Sequence, residues 1–239
     1  MLVYGKNVAK EILSENKTVK KAYLQNNFKD NDIFDLLDNR SIPIVYYDKD
    51  RLNKLTDALH QGIVLEVEDY KYYDEKKMLG EINESSFIVI LDHLEDPHNF
   101  GAIIRTCEAA GVDFIIIPKD RSVKVTSTVI KISTGAIENV KIVSVTNLNK
   151  ILEKLKKTNV WIVGTSLEKS VDYTKVDYKT ATALVIGNEG KGISDLVKKN
   201  CDFVVKIPMI GKTNSLNASV AAGIMIYEVI RQRMELWVE

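Results

Sequence analysis

Apolar and polar positions follow two different rhythms along this chain. Over residues 1–68 the apolar runs are short and mixed with charge. Tyr4, Val8, Ala9, Ile12 and Leu13 recur at helical spacing after Gly5, which predicts a short helix. Residues 19–25 read as a strand. Asn31 and Asp32 are placed to cap a helix through Leu37. Residues 42–47 read as extended, 49–59 as a helix and 62–68 as a strand, which together make a small alternating α/β unit. Residues 69–84, DYKYYDEKKMLGEINE, are charged and hold no sustained buried strand. They read as a linker that can hold some helix and whose tyrosines can dock on a neighbour.

Beyond residue 85 the pattern strengthens. SFIVIL (86–91), VDFIII (112–117) and ATALVI (181–186) are continuous apolar runs of buried-strand length. Further strands are predicted over 140–145, 160–164 and 203–207. Helices are predicted over 99–110, 126–133, 147–157 and 194–199, with a long amphipathic helix over 218–233. Strands alternating with helices imply a mostly parallel sheet covered on both faces. In such sheets ligands sit beyond the carboxyl ends of the strands. The polar residues directly after each apolar run are therefore the candidates for chemistry.

The length of 239 residues allows one large domain or two modest ones. With 45% hydrophobic and 28% charged residues, the composition excludes a disulfide-stapled mini-protein, a collagen-like repeat and a wholly disordered chain. Lys plus Arg and Asp plus Glu are 33 each, so no global field draws the chain to nucleic acid or membrane. Any nucleic-acid site must be a local patch. Residues 1–75 carry 11 basic and 14 acidic side chains, which leaves the later part mildly basic. Cys107 and Cys201 belong to no CxxC pair, and two free thiols fit a reducing, cytoplasmic setting. The segment MLVYGKNVAKEILSENK lacks the apolar stretch of a secretory signal, and no apolar run is long enough to span a bilayer.

Three polar segments follow the strands. The first is DHLEDPHNFGAIIR (92–105). Pro97 keeps Asp96 out of the helical region, and Asn99 is a suitable N-cap. Taken alone this is a capped strand–helix turn, except that Arg105 stands one to two turns into a helix with apolar faces. The second is GNEGKG (187–192), where three glycines in six residues allow close backbone approach. It is not a GxGxxG dinucleotide fingerprint. The third is PMIGKTNSLN (208–217). Its GKT resembles a phosphate loop, but Walker A spacing requires glycine where Lys206 stands, so an ATPase is rejected. Ser215 and Asn217 flank the last helix, where capping is the plain reading. His60, His93 and His98 make no ligand pair, which leaves no metal site to propose. No GxSxG elbow is present.

In this order, DPHNFGAIIRT, IGNEGKG and IPMIGKTNSLNASVA resemble the three signature motifs of the SpoU/TrmH family of RNA ribose 2′-O-methyltransferases, within the SPOUT superfamily. The resemblance covers about residues 87–235. The first domain, with YGKNVAKEIL and HQGIVLEV, is similar to the family's substrate-binding domain, and the nearest members are those that modify a guanosine of large-subunit ribosomal RNA. The resemblance implies an RNA-binding α/β domain over 1–70, a linker over 71–85 and a SPOUT domain with a C-terminal trefoil knot over 86–239. It also implies S-adenosylmethionine as cofactor, RNA as partner, and a homodimer with no metal and no membrane association. Carried over by position, Asn99, Arg105, Glu189, Ser215 and Asn217 are the catalytic and substrate-organising residues. Gly187, Ile207 and Leu216 contact the cofactor, with Thr165 added from the GTS at 164–166.

Two roles for Arg105 stay open. It acts as a base if its cation is disfavoured locally, or it remains charged, stabilises the developing alkoxide and grips a phosphate. The planar fork of a guanidinium suits the second role better. Lys6, Lys10, Lys17, Lys20, Lys21 and Lys29 give the first 29 residues a basic bias that phosphate contact would use. A transfer RNA methyltransferase and a non-catalytic RNA-binding protein on the same fold are the alternatives. An oxidoreductase is disfavoured by the missing dinucleotide fingerprint.

Overall fold

A computed structural model describes residues 1–14, 18–56, 59–168, 170–188, 190–213 and 215–234. The chain divides into two compact units, Met1–Lys71 and Tyr72–Glu239.

In the first unit, strands β1 (Leu2–Tyr4), β2 (Val19–Gln25), β3 (Ile44–Tyr47) and β4 (Ile63–Val67) form a sheet in the order β1-β4-β2-β3. β4 is antiparallel to β1 and β2, while β2 and β3 are parallel. Strand alternation sends Ala22 and Leu24 to one face. There they pack with Ile12 and Leu13 of α1 (Lys6–Ser14) and with Ile33 and Leu37 of α2 (Asn31–Asn39). α2 is capped by the Asp30 carboxylate, which accepts from the Ile33 N–H, rather than by Asn31 or Asp32. The helix expected over 49–59 is shorter, α3 (Lys49–Asn53). Asn53 instead meets the His60 ring at 3.0 Å, and Gly62 turns the chain into β4 at φ +84°. Residues 57 and 58 lie outside the described residues.

The second unit holds β5 (Phe87–Asp92), β6 (Phe114–Pro118), β7 (Lys141–Val145), β8 (Trp161–Thr165), β9 (Val171–Asp172), β10 (Thr182–Gly187) and β11 (Phe203–Lys206). Their order is β7-β6-β5-β10-β8-β11-β9, and the neighbouring pairs are parallel. Each central strand is buried on both faces, which explains the unbroken apolar runs. One face, with Ile88, Ile90, Ile116, Val143, Ile162 and Val185, packs on Met78 of α4 (Glu75–Glu81), Ile151 and Leu155 of α7 (Leu148–Lys156), and Val197 of α8 (Asp195–Asn200). The alternate residues, among them Val89, Leu91, Ile115, Leu184 and Ile186, are equally buried and point to the opposite side. There α5 (Pro97–Ala109) packs against α6 (Ser127–Ser133) and α9 (Ala218–Met234).

One expectation is filled in and one changes. The charged stretch over 71–85 carries α4, whose Met78 is fully buried, and the Tyr73 N–H bonds the Ile142 carbonyl at 2.7 Å. Lysines and glutamates hide that apolar stripe in the sequence. α5 begins at Pro97 and is capped by Asp96, which accepts from the His98 N–H at 2.8 Å. Asn99 therefore sits inside the first turn, buried, and is not the cap. No helix among the described residues is long and apolar enough to cross a membrane.

Candidate functional site

Three adjacent parallel strands, β10, β8 and β11, end at one cavity of about 430 Å³. Thr165 closes β8, Gly187 closes β10, and Lys206 closes β11. Ile186, Val205, Ile207, Met209 and Leu216 give apolar walls; Ser166, Asn188 and Ser215 add polar groups. The four positions expected to contact the cofactor, Thr165, Gly187, Ile207 and Leu216, thus line one space together with Ser215. The Thr165 hydroxyl donates to the Val185 carbonyl at 3.1 Å, tying the end of β8 to β10. Residues 207–213 form no helix or strand, so their peptide groups are not committed to a ladder.

The glycine-rich loop is shaped from within. A Cβ on Gly187 would lie 2.1 Å from the Gly192 carbonyl carbon and 2.3 Å from the Ile193 nitrogen. The close approach that requires glycine here is thus made by the protein's own backbone. Asn188 and Gly192 exchange backbone hydrogen bonds of 3.1 and 2.9 Å, with Gly192 at φ +67°. The Asn188 side chain accepts from the Gly190 N–H at 2.9 Å and donates to the His93 carbonyl at 2.9 Å. Beneath the loop lies Asp92, 1% exposed and in register with Gly187. One of its oxygens accepts from the Ser194 N–H at 2.6 Å, and the other meets His93 Nδ1 at 2.6 Å.

α8 and α9 close the cavity from opposite layers, α8 with Asp195 and Lys198 and α9 with Ala218 and Ala221. Asn217 is exposed and caps α9. Its side-chain oxygen accepts from the Ser219 N–H at 2.9 Å and the Ser219 hydroxyl at 2.6 Å. Between the layers, Cys201 donates to the Val197 carbonyl at 3.3 Å, and burial pushes its thiol up to about 12. It packs as a protonated, inert side chain.

Arg105 is not brought to this cavity. It lies on α5 in a separate, wider hollow of about 840 Å³, with Glu108, Gly135, Asn139 and Tyr227. The two spaces share no lining residue among those described. The exposed guanidinium has no hydrogen-bond or ion-pair partner among the described residues. Asn99 lines neither space. Glu189 lies outside the described residues. No cluster of His, Cys, Asp and Glu that could hold a metal occurs among the described residues.

Against known families, residues 86–227 match the SpoU rRNA Methylase family, and residues 2–73 match the RNA 2′-O ribose methyltransferase substrate-binding domain. The chain belongs to the SpoU methylase family. Among curated relatives, this SpoU chain is 44% identical over 237 residues to a protein of Bacillus subtilis assigned to the TrmH family of tRNA/rRNA methyltransferases, covering 97% of this chain and 95% of that protein. A Staphylococcus saprophyticus protein of the same assignment is 43% identical, with coverage of 98% and 96%. Among solved structures, the SpoU methyltransferase AviRb of Streptomyces viridochromogenes, in complex with AdoMet, superposes with a TM-score of 0.76 at 26% identity, covering 98% of this chain and 90% of that one. An AdoMet-bound rRNA methyltransferase of Sinorhizobium meliloti gives 0.70 at 26% identity, covering 96% and 86%.

Sequence reasoning about this SpoU domain missed the anchor under the glycine loop. Its signal was slight: a carboxylate ends an otherwise apolar strand, FIVILD, that is buried throughout. It also missed Glu168 and Lys198, which stand on the cavity wall, and of the GTS loop it named Thr165 but not Ser166.

Proposed function

We propose that this SpoU-family RNA methyltransferase uses S-adenosylmethionine to methylate the 2′-oxygen of a ribose, with a guanosine of large-subunit ribosomal RNA as acceptor. The observation that carries this reading is the cavity shared by Thr165, Gly187, Ile207 and Leu216. Its volume of about 430 Å³ falls within the ~300–1,000 Å³ of small-molecule sites. Its apolar walls fit a purine ring, and its polar ends fit a sugar and an amino acid. When bound, S-adenosylmethionine would supply the methyl group of its sulfonium, the S–CH3 bond breaking as the ribose 2′-oxygen bonds to carbon, with S-adenosylhomocysteine leaving and the hydroxyl proton passing to water.

The chain's own residues orient the acceptor and take up its charge. Arg105, open to solvent, grips an RNA phosphate and stabilises the developing alkoxide; a cationic fork favours that role over a base. Ser215, at the α9 end of the cavity, is assigned to the acceptor side of the site, and Asn217, which caps α9 without lining the cavity, joins it by motif position alone. Asn99, buried in the first turn of α5, is assigned to holding the first loop and Arg105 by its motif position alone. Glu189 is assigned an orienting role by its motif position alone. The separation of Arg105 from the cavity supports a homodimer in which the acceptor is held between chains. A trefoil knot and a cytoplasmic location belong to the same reading.

The first unit is assigned to RNA capture, through a reduced patch. Lys10 is paired with Asp32 at 2.6 Å and Asp30 at 3.1 Å, and Lys6 lies 3.6 Å from Asp30. Lys21 and Arg51 stand over the Tyr23 and Tyr47 rings, whose centroids are 5.3 Å apart. Lys17 lies outside the described residues. To test the whole reading, the gene is deleted and 2′-O-methyl marks are mapped across ribosomal and transfer RNA. Loss of one guanosine mark in large-subunit RNA is expected. Loss confined to transfer RNA moves the substrate. No lost mark, with S-adenosylhomocysteine still bound in calorimetry, leaves a non-catalytic RNA-binding protein.

A further inference from the structure

The α8 side of the cavity carries charged groups that the chemistry above does not use. Lys198, with its side chain 21% exposed, donates to Ser166 Oγ at 3.0 Å and lies 3.5 Å from the Glu168 carboxylate. Ser166 Oγ also accepts from the Glu168 backbone N–H at 3.3 Å. All three side chains line the cavity. The Glu168 side chain is 87% exposed, so most of its accepting capacity is open to a ligand.

The two layers of helices give the cavity a direction. α8 packs with α7 on one face of the sheet, and α9 packs with α5, the helix of Arg105, on the other. On the reading that the cavity takes S-adenosylmethionine, the acceptor approaches from the α5 and α9 side, and the sulfonium must face that way. The sulfur is bonded to C5′ of the donor's adenosine, so with the methyl turned to the α5 and α9 side the adenosine, with its adjacent 2′- and 3′-hydroxyls, extends from the sulfur towards the α8 side. A carboxylate accepts from such hydroxyls in dinucleotide sites, and a neighbouring ammonium orients it.

We propose that Glu168 binds the ribose hydroxyls of the methyl donor and that Lys198, acting with Ser166, is the positioning residue that holds Glu168 at the cavity wall. The inference rests on the cofactor assignment above and deepens it.

The test is calorimetry on the full chain with S-adenosylhomocysteine and with its 2′,3′-dideoxy analogue. Glu168→Gln is expected to weaken S-adenosylhomocysteine about tenfold, the worth of one charge-assisted hydrogen bond, and to leave the analogue's affinity unchanged. Lys198→Met is expected to weaken S-adenosylhomocysteine several-fold, and Lys198→Arg to restore it. Thermal melts confirm that each variant is folded. Unchanged affinity in Glu168→Gln, or an equal loss for both ligands, overturns the subsite. A wild-type chain that binds neither ligand overturns the cofactor assignment of the cavity, and the subsite falls with it.

Discussion

The cavity at the strand ends and the hollow around Arg105 are built on opposite plans. The cavity is enclosed by one chain: three strand ends, a loop folded onto itself and two helix starts contribute to it. Its shape is enforced by backbone, as at Gly187, where no side chain fits. The hollow is a surface between helices, with Arg105 exposed and Tyr227 52% exposed. The difference fits the two jobs proposed for them. A small donor is held by a preorganised pocket, whereas a large acceptor needs an open approach and a charge to meet it. Perturbing one region should therefore leave the other's function measurable.

The largest effect on donor binding is expected from Gly187→Ala. The new Cβ meets main chain rather than a flexible side chain, so the loop from Asn188 to Ile193 must shift as a body. Overpacking of this kind costs ~1–3 kcal/mol, which corresponds to a loss of S-adenosylhomocysteine affinity of up to about a hundredfold. RNA affinity, measured separately, should change little. Equal losses of both would erase the distinction between the regions.

Arg105→Ala should do the reverse. The rate should fall by about 10²–10³, the worth of one donor to a developing oxyanion, while calorimetry shows the donor site intact. Near-normal turnover would remove Arg105 from the chemistry.

How much of this was legible beforehand depends on where the information resides. Apolar runs such as SFIVIL and ATALVI announce strands buried on both faces, and the parallel sheet follows from their alternation with helices. The rule that ligands sit at strand carboxyl ends then directs attention to the loops holding Gly187, Ile207 and Leu216, and the family resemblance picks out those residues. What did not show was anything decided by a partner distant in sequence. β1 and β9 have three and two residues, too few for a period, and exist because β4 and β11 pair with them. Asp92 gains its meaning only when Ser194, far along the chain, is brought to 2.6 Å. The glycine of GNEGKG was singled out for the close approach of a ligand; the close approach on view is that of the Gly192 backbone. Arg105 looked close to the strand end, yet the helical turns between Asn99 and Arg105 carry it to a separate hollow.

The smallest expected effect concerns α9, the wall common to both regions: Ala218 and Ala221 face the cavity, and Tyr227 faces the hollow. Its C-terminal half is held by Glu228, which is 7% exposed and accepts from Arg231 at 2.9 Å and from Gln232 Nε2 at 2.8 Å. Gln232 in turn accepts from the Tyr178 N–H at 3.1 Å and donates to the Val176 carbonyl at 3.1 Å. The Arg231 guanidinium, against the opposing cost of burial, holds the Glu228 carboxyl below its ordinary value. A carboxyl depressed in the folded state contributes stability above its unfolded pKa, and that contribution is lost as pH falls through the folded value. Glu228→Gln should therefore melt a few degrees below wild type at pH 7. The gap should narrow as the pH falls below about 4, where wild type loses the same charge. S-adenosylhomocysteine affinity at pH 7 should hold, because the clamp lies at the far end of the helix from Ala218. A gap independent of pH would assign Glu228 a packing role, and a loss of donor affinity would show that the two regions share more than one wall.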